Sequence, residues 1–136
     1  PLADISLMES AFELLAPKNM ATFYMAKYED IYVGARVVLN YKGLIYDWYA
    51  GALSDYLSLY VNEALVWHIL KEGANNRYHT FNFGGAGKPN EEYGVREFKR
   101  RFGGKMVNFG RYKKIHSPIK LKIAEKGFEV YRRMIL

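Results

Sequence analysis

Residues 21–52 carry the pattern that most limits the fold, which is three extended segments separated by two short polar turns. The segments ATFYMAKY, IYVGARVVLNY and LIYDWYAGA are rich in β-branched and aromatic residues, the types that strands favour. Glu29-Asp30 and Lys42-Gly43 separate them as tight hairpin turns. Because such short turns join neighbouring strands, residues 21–51 are expected to form an antiparallel three-stranded meander.

Strict alternation along these strands predicts which side chains share a face. In the third segment it puts Asp47 and Tyr49 on one face and Tyr46 and Trp48 on the other. An aspartate is unusual in so aromatic a strand. Asp47 is therefore either a ligand-facing acceptor or base, or a partner for buried backbone or a tyrosine hydroxyl. In the middle segment the face predicted to be apolar holds Ile31, Val33, Ala35, Val37, Leu39 and Tyr41.

Helical patterns flank the meander. An amphipathic period over residues 5–15 predicts a first helix that ends before Pro17. Asn62 is expected to cap a second helix through EALVWHILKEG, with Gly73 as its left-handed stop. Ser117 and Pro118 begin a last helix as its cap and first residue. The apolar side of that helix is predicted to hold Ile119, Ile123, Val130 and Met134.

Three further segments complete the order of elements. YHTFNFGG is expected to be extended, EEYGVREFKRRFG helical, and KMVNFGRYKK a final strand. This order predicts one α/β (α+β) domain over residues 1–136, with a mixed, mostly antiparallel sheet flanked by helices. The chain begins at Pro1 with no initiator methionine, which indicates one part of a longer protein.

Charge is distributed unevenly along the chain. Residues 1–95 hold 7 Lys/Arg and 11 Asp/Glu (net −4), whereas residues 96–136 hold 13 and 3 (net +10), and the two add to the overall +6. A basic block of this kind either attracts phosphates, anionic lipid or nucleic acid, or forms a solvated helical surface. No apolar run reaches the ~18 residues that a membrane-spanning helix needs. The chain has no cysteine and only three histidines, which are far apart, so a metal site is not expected. The absence of cysteine also favours a cytoplasmic location.

The glycine-rich stretch FNFGGAGKPN resembles a phosphate-binding loop, but its spacing does not fit one. A P-loop needs G-x-x-x-x-G-K-S/T, and here both the spacing and the hydroxyl are missing. A dinucleotide fingerprint needs a further glycine three residues after Gly87, where Asn90 stands. The glycines are instead expected to allow positive φ or close backbone packing.

The basic helix after this loop carries a candidate catalytic cation. At helical spacing Val95, Phe98 and Phe102 form the predicted buried stripe, and Lys99 lies beside it on the rim. An ammonium at that place can meet a developing negative charge. The alternative is an ordinary surface lysine.

Four blocks, IYDWYAGA, NEALVWHILKEG, FNFGGAG and YGVREFKRRFGG, resemble the C-terminal lobe of the Fem-type transferases. These are the FemABX peptidoglycan-bridge aminoacyltransferases and their FemAB-like relatives in the GNAT-like acetyltransferase superfamily. The resemblance covers roughly residues 20–112, and Asn82 stands where the family usually has Asp. It implies a GNAT-like lobe that forms the C-terminal half of a two-lobe protein.

The resemblance also implies a reaction, in which an amine attacks an activated acyl ester. Lys99 matches a family lysine implicated in catalysis, and Asp47 and Tyr49 are weaker candidates for orienting the amine. The residues expected to bind substrate are Phe98, Arg96, Tyr46, Trp48, Gly84 and Gly85. Metal and dedicated cofactors are not expected.

The partners are less closely defined by the sequence. The Q/R-x-x-G-x-G/A turn of acetyl-CoA-using relatives is missing from GALSDYLSLYVNE, so aminoacyl-tRNA is favoured over acyl-CoA as donor. The expected acceptor is an amine-bearing envelope precursor or polysaccharide, handled at the inner face of the membrane. A partner lobe or a homo-oligomer is also expected. The alternatives are an acyl-CoA-dependent N-acyltransferase and a non-catalytic lobe that binds phosphate or nucleic acid.

Overall fold

The computed structural model describes residues 4–88, 91–108, 110 and 112–135. These divide into two compact units, Pro1–Gly104 and Lys105–Leu136. The first unit contains a four-stranded sheet in the order β1-β2-β3-β4, in which the first three strands are antiparallel and β4 is parallel to β3. Its strands are β1 (Ala21–Tyr28), β2 (Ile31–Tyr41), β3 (Leu44–Ala52) and β4 (Thr80–Asn82). The helices of the chain are α1 (Ile5–Leu15), α2 (Val61–Asn75), α3 (Gly94–Arg100) and α4 (Pro118–Ile135).

The predicted mixed, mostly antiparallel sheet flanked by helices is therefore confirmed, and so is the meander of residues 21–51. Both hairpin turns lie where the sequence predicts them, with left-handed backbone at Glu29, Lys42 and Gly43. A short 3₁₀ turn, Ala16–Lys18, follows α1 directly and contains Pro17.

The core of the first unit forms where α2 packs across one face of the sheet. Two groups of apolar side chains make this contact through burial of apolar area. The first joins Val33 on β2 to Val61 and Leu65 on α2. The second joins Val38 on β2 and Ile45 on β3 to Ile69 on α2.

Two register shifts overturn the strict alternation that the sequence predicts. The β1–β2 ladder shifts at Ala26/Lys27, and the β2–β3 ladder shifts at Val37/Val38. At each shift one strand has an extra residue, a β-bulge. Beyond the bulge, the side chains of that strand point to the opposite face of the sheet from the one that strict alternation predicts. The predicted apolar face of β2 is correct only in part. Val33 and Val37 are buried as predicted, but Ala35 is exposed, and Arg36 and Val38 are buried as well.

Both ends of α2 differ from the prediction. The helix begins at Val61 after Tyr60 in left-handed conformation, and Asn62 is not its cap. Gly73 lies inside the helix, buried, at a place where a Cβ would come within 2.7 Å of Ile45 Cδ1. The glycine allows close packing of α2 on β3. The left-handed residue after the helix is Arg77.

The second unit contains α4, whose predicted start is confirmed. The Lys120 backbone N–H donates to Ser117 Oγ at 3.4 Å. The predicted strand KMVNFGRYKK is wrong for residues 105–108, 110 and 112–114, which are not in a strand, and Phe109 and Arg111 lie outside the described residues. Among the described residues, no helix is both long and apolar enough to span a membrane. The predicted apolar side of α4 is exposed at Ile119, Ile123, Val130 and Met134.

Candidate active site

The sheet opens between β3 and β4. These strands pair in parallel over three residues, from Leu44 opposite Thr80 to Tyr46 opposite Asn82. Beyond Asn82 the chain leaves the ladder as a glycine loop, whereas β3 continues to Ala52. The edge of β3 beyond Tyr46 therefore faces a gap, and predicted site residues lie on both sides of it.

The glycine loop folds with its carbonyl oxygens turned towards cations. Gly84 and Gly87 have φ of 69° and 72°, a region that favours glycine. The side chain of Asn82 closes the first turn by accepting from the Gly84 N–H at 2.8 Å. A phosphate-binding loop presents N–H groups to its ligand, so this loop has the opposite polarity.

Lys99 is the first of the two cations that hold the loop. Its ammonium donates to the carbonyl oxygens of Phe83 at 2.5 Å and Gly85 at 2.6 Å. An ammonium carries three N–H donors, so one remains for another acceptor. The side chain is partly buried and holds two loop carbonyls, which differs from a fully solvated lysine.

Arg96 is the second cation, one turn earlier on α3. Its guanidinium donates to the carbonyl oxygens of Ala86 at 2.9 Å, Glu91 at 3.1 Å and Lys88. Arg96 therefore shapes the loop, and its predicted contact with substrate stays a prediction.

A buried ion pair lies beneath the gap. Arg36 Nη1 donates to Asp47 Oδ2 at 2.6 Å, and the two side chains are 4% and 9% exposed. Arg36 Nε and Asp47 Oδ1 are also buried, and neither has a hydrogen-bond partner within the part of the chain that the structure describes. A pair with one unsatisfied atom on each side is electrostatically strong but incompletely satisfied.

Sequence reasoning missed Arg36. The available signal was an arginine inside the apolar run IYVGARVVLNY, because a charge buried in a sheet needs a partner of opposite sign. The strict alternation predicted for β2 hid this signal, since it assigned Arg36 to the face opposite the apolar one.

The charges of Arg36, Asp47 and Lys99 influence one another. Burial raises the pKa of Asp47 above its ordinary value, and the Arg36 and Lys99 cations oppose that rise. Burial lowers the pKa of Lys99, the Arg36 charge adds to the effect, and the Asp47 carboxylate opposes it. The ammonium of Lys99 therefore loses its proton more readily than that of a solvated lysine.

The two weaker catalytic candidates on β3, Asp47 and Tyr49, lie on opposite faces of the sheet. Asp47 pairs with Val38 and Tyr49 pairs with Val37, and because Val37 and Val38 are consecutive they point to opposite faces. The prediction that Asp47 and Tyr49 share a face is wrong, because Trp48 is the extra residue of the β3 bulge. Trp48 packs edge-on against Tyr49 with ring centroids 4.9 Å apart.

Two other predicted residues adjoin the glycine loop. The Tyr46 hydroxyl lies beside Gly84, 3.3 Å from where a Cβ would stand. Phe98 contacts Phe102, which contacts Phe83, at centroid distances of 5.2 and 5.8 Å. This row of rings joins α3 to the loop and fixes the place of Lys99 above the gap.

Residues 3–100 match the family described as the acetyltransferase (GNAT) domain. That match contains Arg36, Asp47, the glycine loop and Lys99. This chain belongs to the GNAT acetyltransferase family. The superfamily expected from the sequence blocks is thus confirmed, while the Fem-type branch stays a prediction.

The fold of this GNAT chain is similar to that of a solved aminoglycoside acetyltransferase, AAC(6')-Iy, in complex with the bisubstrate analog CoA-S-monomethyl-acetylneamine. The TM-score is 0.57, the identity is 13%, and the match covers 82% of each chain. At that identity the likeness establishes the fold alone. No curated protein sequence matches the chain. Within the described part of this GNAT chain, no cluster of His, Asp or Glu is arranged to hold a metal ion.

Proposed function

We propose that this protein is an acyl-CoA-dependent N-acyltransferase that moves an acyl group from a thioester to a primary amine. The observation that carries the proposal is the position of the Lys99 ammonium, at the gap between β3 and β4, with one N–H donor remaining. Membership of the GNAT family and the fold shared with a CoA-analog-bound acetyltransferase support the choice of donor.

Lys99 stabilises the transition state in this mechanism. Attack of the amine on the thioester carbonyl forms a C–N bond and puts negative charge on the carbonyl oxygen. The remaining Lys99 N–H donates to that oxygen, and the Phe83 and Gly85 carbonyls hold the ammonium in place beforehand. Donors fixed in advance in a partly desolvated site are the largest single source of stabilisation in acyl transfer.

Asp47 is the acceptor of the amine proton. Its Oδ1 atom is buried and has no hydrogen-bond partner among the described residues, so it can accept the proton through one bridging water. Arg36 fixes the carboxylate from the other oxygen. The C–S bond then breaks, the thiolate leaves and takes a proton from solvent, and the amide remains. Tyr49, on the opposite face, has no part in this step.

The donor's phosphates have one candidate position. Helix α2 begins at Val61 without a side-chain cap, so its first N–H groups and the positive end of its dipole can meet an anion. The segment before it, Ser54–Leu59, is a 3₁₀ turn without the glycines of a Q/R-x-x-G-x-G/A loop, and Glu63 lies in the first turn. We therefore expect weak binding of the pyrophosphate and recognition mainly through the acyl and pantetheine portions.

A second candidate keeps aminoacyl-tRNA as donor, as the Fem-type resemblance implies. The specific observation in its favour is the net charge of +10 over residues 96–136, which suits a phosphate backbone. This candidate carries with it an envelope acceptor and a second lobe. A non-catalytic lobe that binds phosphate or nucleic acid would have the same positive charge but would catalyse no transfer.

The deciding experiment measures both donors with one protein. Thiol release from acetyl-CoA and longer acyl-CoAs is followed with a panel of primary amines, including aminoglycosides and amino sugars, and transfer from labelled aminoacyl-tRNA is followed beside it. The proposal expects amine-dependent thiol release that Lys99→Met lowers by roughly 10²–10³. Transfer from aminoacyl-tRNA with no thiol release would replace it with the second candidate, and binding of tRNA with no transfer would favour the non-catalytic lobe.

A further inference from the structure

A groove lies at the opposite end of β3 from the gap that forms the proposed acyl-transfer site. It is open, about 470 Å³ in volume, and lies where the start of β1, the β2–β3 turn and the end of α2 meet. That volume is in the range of small-molecule sites. From Gly43 at the groove to Asp47, β3 runs four residues, roughly 13 Å. The groove is therefore separate from the Lys99 site.

Three cations from three separate segments line this groove, and no carboxylate of a described residue does. They are Lys18, Lys42 and Arg77. Among the described residues none of the three forms an ion pair, whereas Lys27, Arg36 and Lys88 each do. Residues 1–95 carry net −4, so a groove of three unpaired cations stands out from an otherwise acidic part of the chain.

Two of these cations also have a backbone conformation that other residue types favour, as Glu29 does in the first hairpin turn. Lys42 and Arg77 have φ of 45° and 62°, in the left-handed region. Lys42 occupies the first central position of a tight hairpin turn, where Asn or Gly is favoured. Arg77 occupies the left-handed position after a helix, where Gly is favoured. At both positions the chain has a cation where the fold by itself favours another residue.

The groove also has the polar and planar groups that a phosphorylated molecule uses. Asn19 and Asn76 line the groove together with the cations. The Lys42 ammonium lies 5.2 Å from the ring centre of Tyr41, which holds it at the groove wall. Tyr41 is 62% exposed and presents a ring surface beside the charge.

From these observations we propose that the groove of Lys18, Lys42 and Arg77 binds a small phosphate-bearing molecule at a site distinct from that of acyl transfer. The three cations supply charge-assisted hydrogen bonds to phosphate oxygens, and the volume admits a small molecule. The proposal does not depend on the proposed function, because no group in the groove belongs to the acyl-transfer cluster.

The test is a titration of the ¹⁵N-labelled protein with pyrophosphate at low ionic strength, followed by NMR and calorimetry. We expect saturable shifts at the amides of Lys18, Lys42 and Arg77. Lys42→Asn and Arg77→Gly should each weaken binding by roughly tenfold, while raising the melting temperature by roughly 2–6 °C because the left-handed strain is relieved. Lys71→Met is the matched control, since Lys71 is an exposed cation on α2 outside the groove, and it should bind as the parent does.

Three results would overturn the proposal. One is binding unchanged in both groove variants, and another is displacement of pyrophosphate from the groove by acyl-CoA, which would make it part of the donor site. The third is binding of single-stranded oligonucleotides with no binding of pyrophosphate, which would make it a nucleic-acid surface. Because both groove variants are expected to stabilise the fold, loss of binding cannot be attributed to unfolding. Absence of acyl transfer in the same protein would leave the groove proposal standing.

Discussion

The ammonium of Lys99 lies 2.5 Å from the carbonyl oxygen of Phe83, sixteen residues earlier in the chain. This contact ties α3 to the loop that leaves the sheet after β4. It gives one side chain two tasks, holding the loop and, in the proposed reaction, stabilising the oxyanion. The predictions below separate these tasks.

Lys99→Met should lower both activity and stability. The methionine keeps most of the aliphatic volume, so the loss is that of the ammonium. The rate should fall by roughly 10²–10³, as when one oxyanion donor is removed. Two loop carbonyls lose their donor, so the free energy of unfolding should fall by about 1–2 kcal/mol in urea titrations. The two hydrogen bonds from Lys99 to the carbonyl oxygens of Phe83 and Gly85 are the reason to expect this loss of stability.

Lys105→Met is the matched control, because Lys105 is exposed and six residues beyond the site. It should keep both the rate and the stability of the parent. If the two variants have equal rates, Lys99 has the structural task alone.

The pH profile of kcat/KM should report the ionisation of Lys99. Its pKa lies below the 10.5 of an ordinary lysine, mainly through burial. Because the charged form is the active one, activity should begin to fall at a lower pH than 10.5 as pH rises. Lys99→Arg keeps a cation that does not lose its proton in this range, so the residual activity of that variant should have no alkaline fall. An alkaline fall at the same pH in Lys99→Arg would assign it to another group.

The Arg36–Asp47 pair should show strong coupling in a double-mutant cycle. Arg36→Met or Asp47→Leu alone leaves a buried charge without its partner, which should cost about 3–5 kcal/mol of unfolding free energy. The double variant removes both charges and should recover much of that loss. Denaturant titrations of the four proteins measure the coupling. Simple additivity of the two losses would show that the residues do not interact in solution.

The same double variant also tests the site. The double variant should be folded but inactive, because the leucine that replaces Asp47 cannot accept the amine proton. Activity at the parent level in a folded double variant would remove Asp47 from the mechanism.

Gly34→Ala should destabilise the protein where β2 meets α2. A Cβ there would come within 2.5 Å of Val61 Cγ1 and 3.2 Å of the Gly51 carbonyl oxygen. Overpacking of this kind costs about 1–3 kcal/mol. Val61→Ala removes the nearer obstacle, so it should recover part of the loss when combined with Gly34→Ala. The control is Gly51→Ala, because no described atom lies within 4 Å of a Cβ added at Gly51. The unfolding midpoint of that variant should barely change.

Local patterns in the sequence determined the meander and the first helix of this protein. Hairpin turns at residues 29–30 and 42–43 have two-residue signals, and α1 has a helical period that ends at a proline, so each could be predicted without knowledge of distant residues. The position of Lys99 beside Phe98 also follows from spacing along one helix. These features depend on neighbours within a few positions, and such neighbours are visible in the sequence.

The tertiary structure decided the composition of the site. The extra residue at Trp48 places Tyr49 on the opposite face of the sheet from Asp47. No local sequence signal marks this one-residue shift, because the register of β3 is fixed by how β2 and β3 pack together with α2. The partnership of Arg36 with Asp47 and the contact of Lys99 with the glycine loop likewise join residues 11 and 16 positions apart. Such contacts form because burial forces each charge to find whichever partner the packed sheet brings near it, and periodicity along the chain does not contain that information.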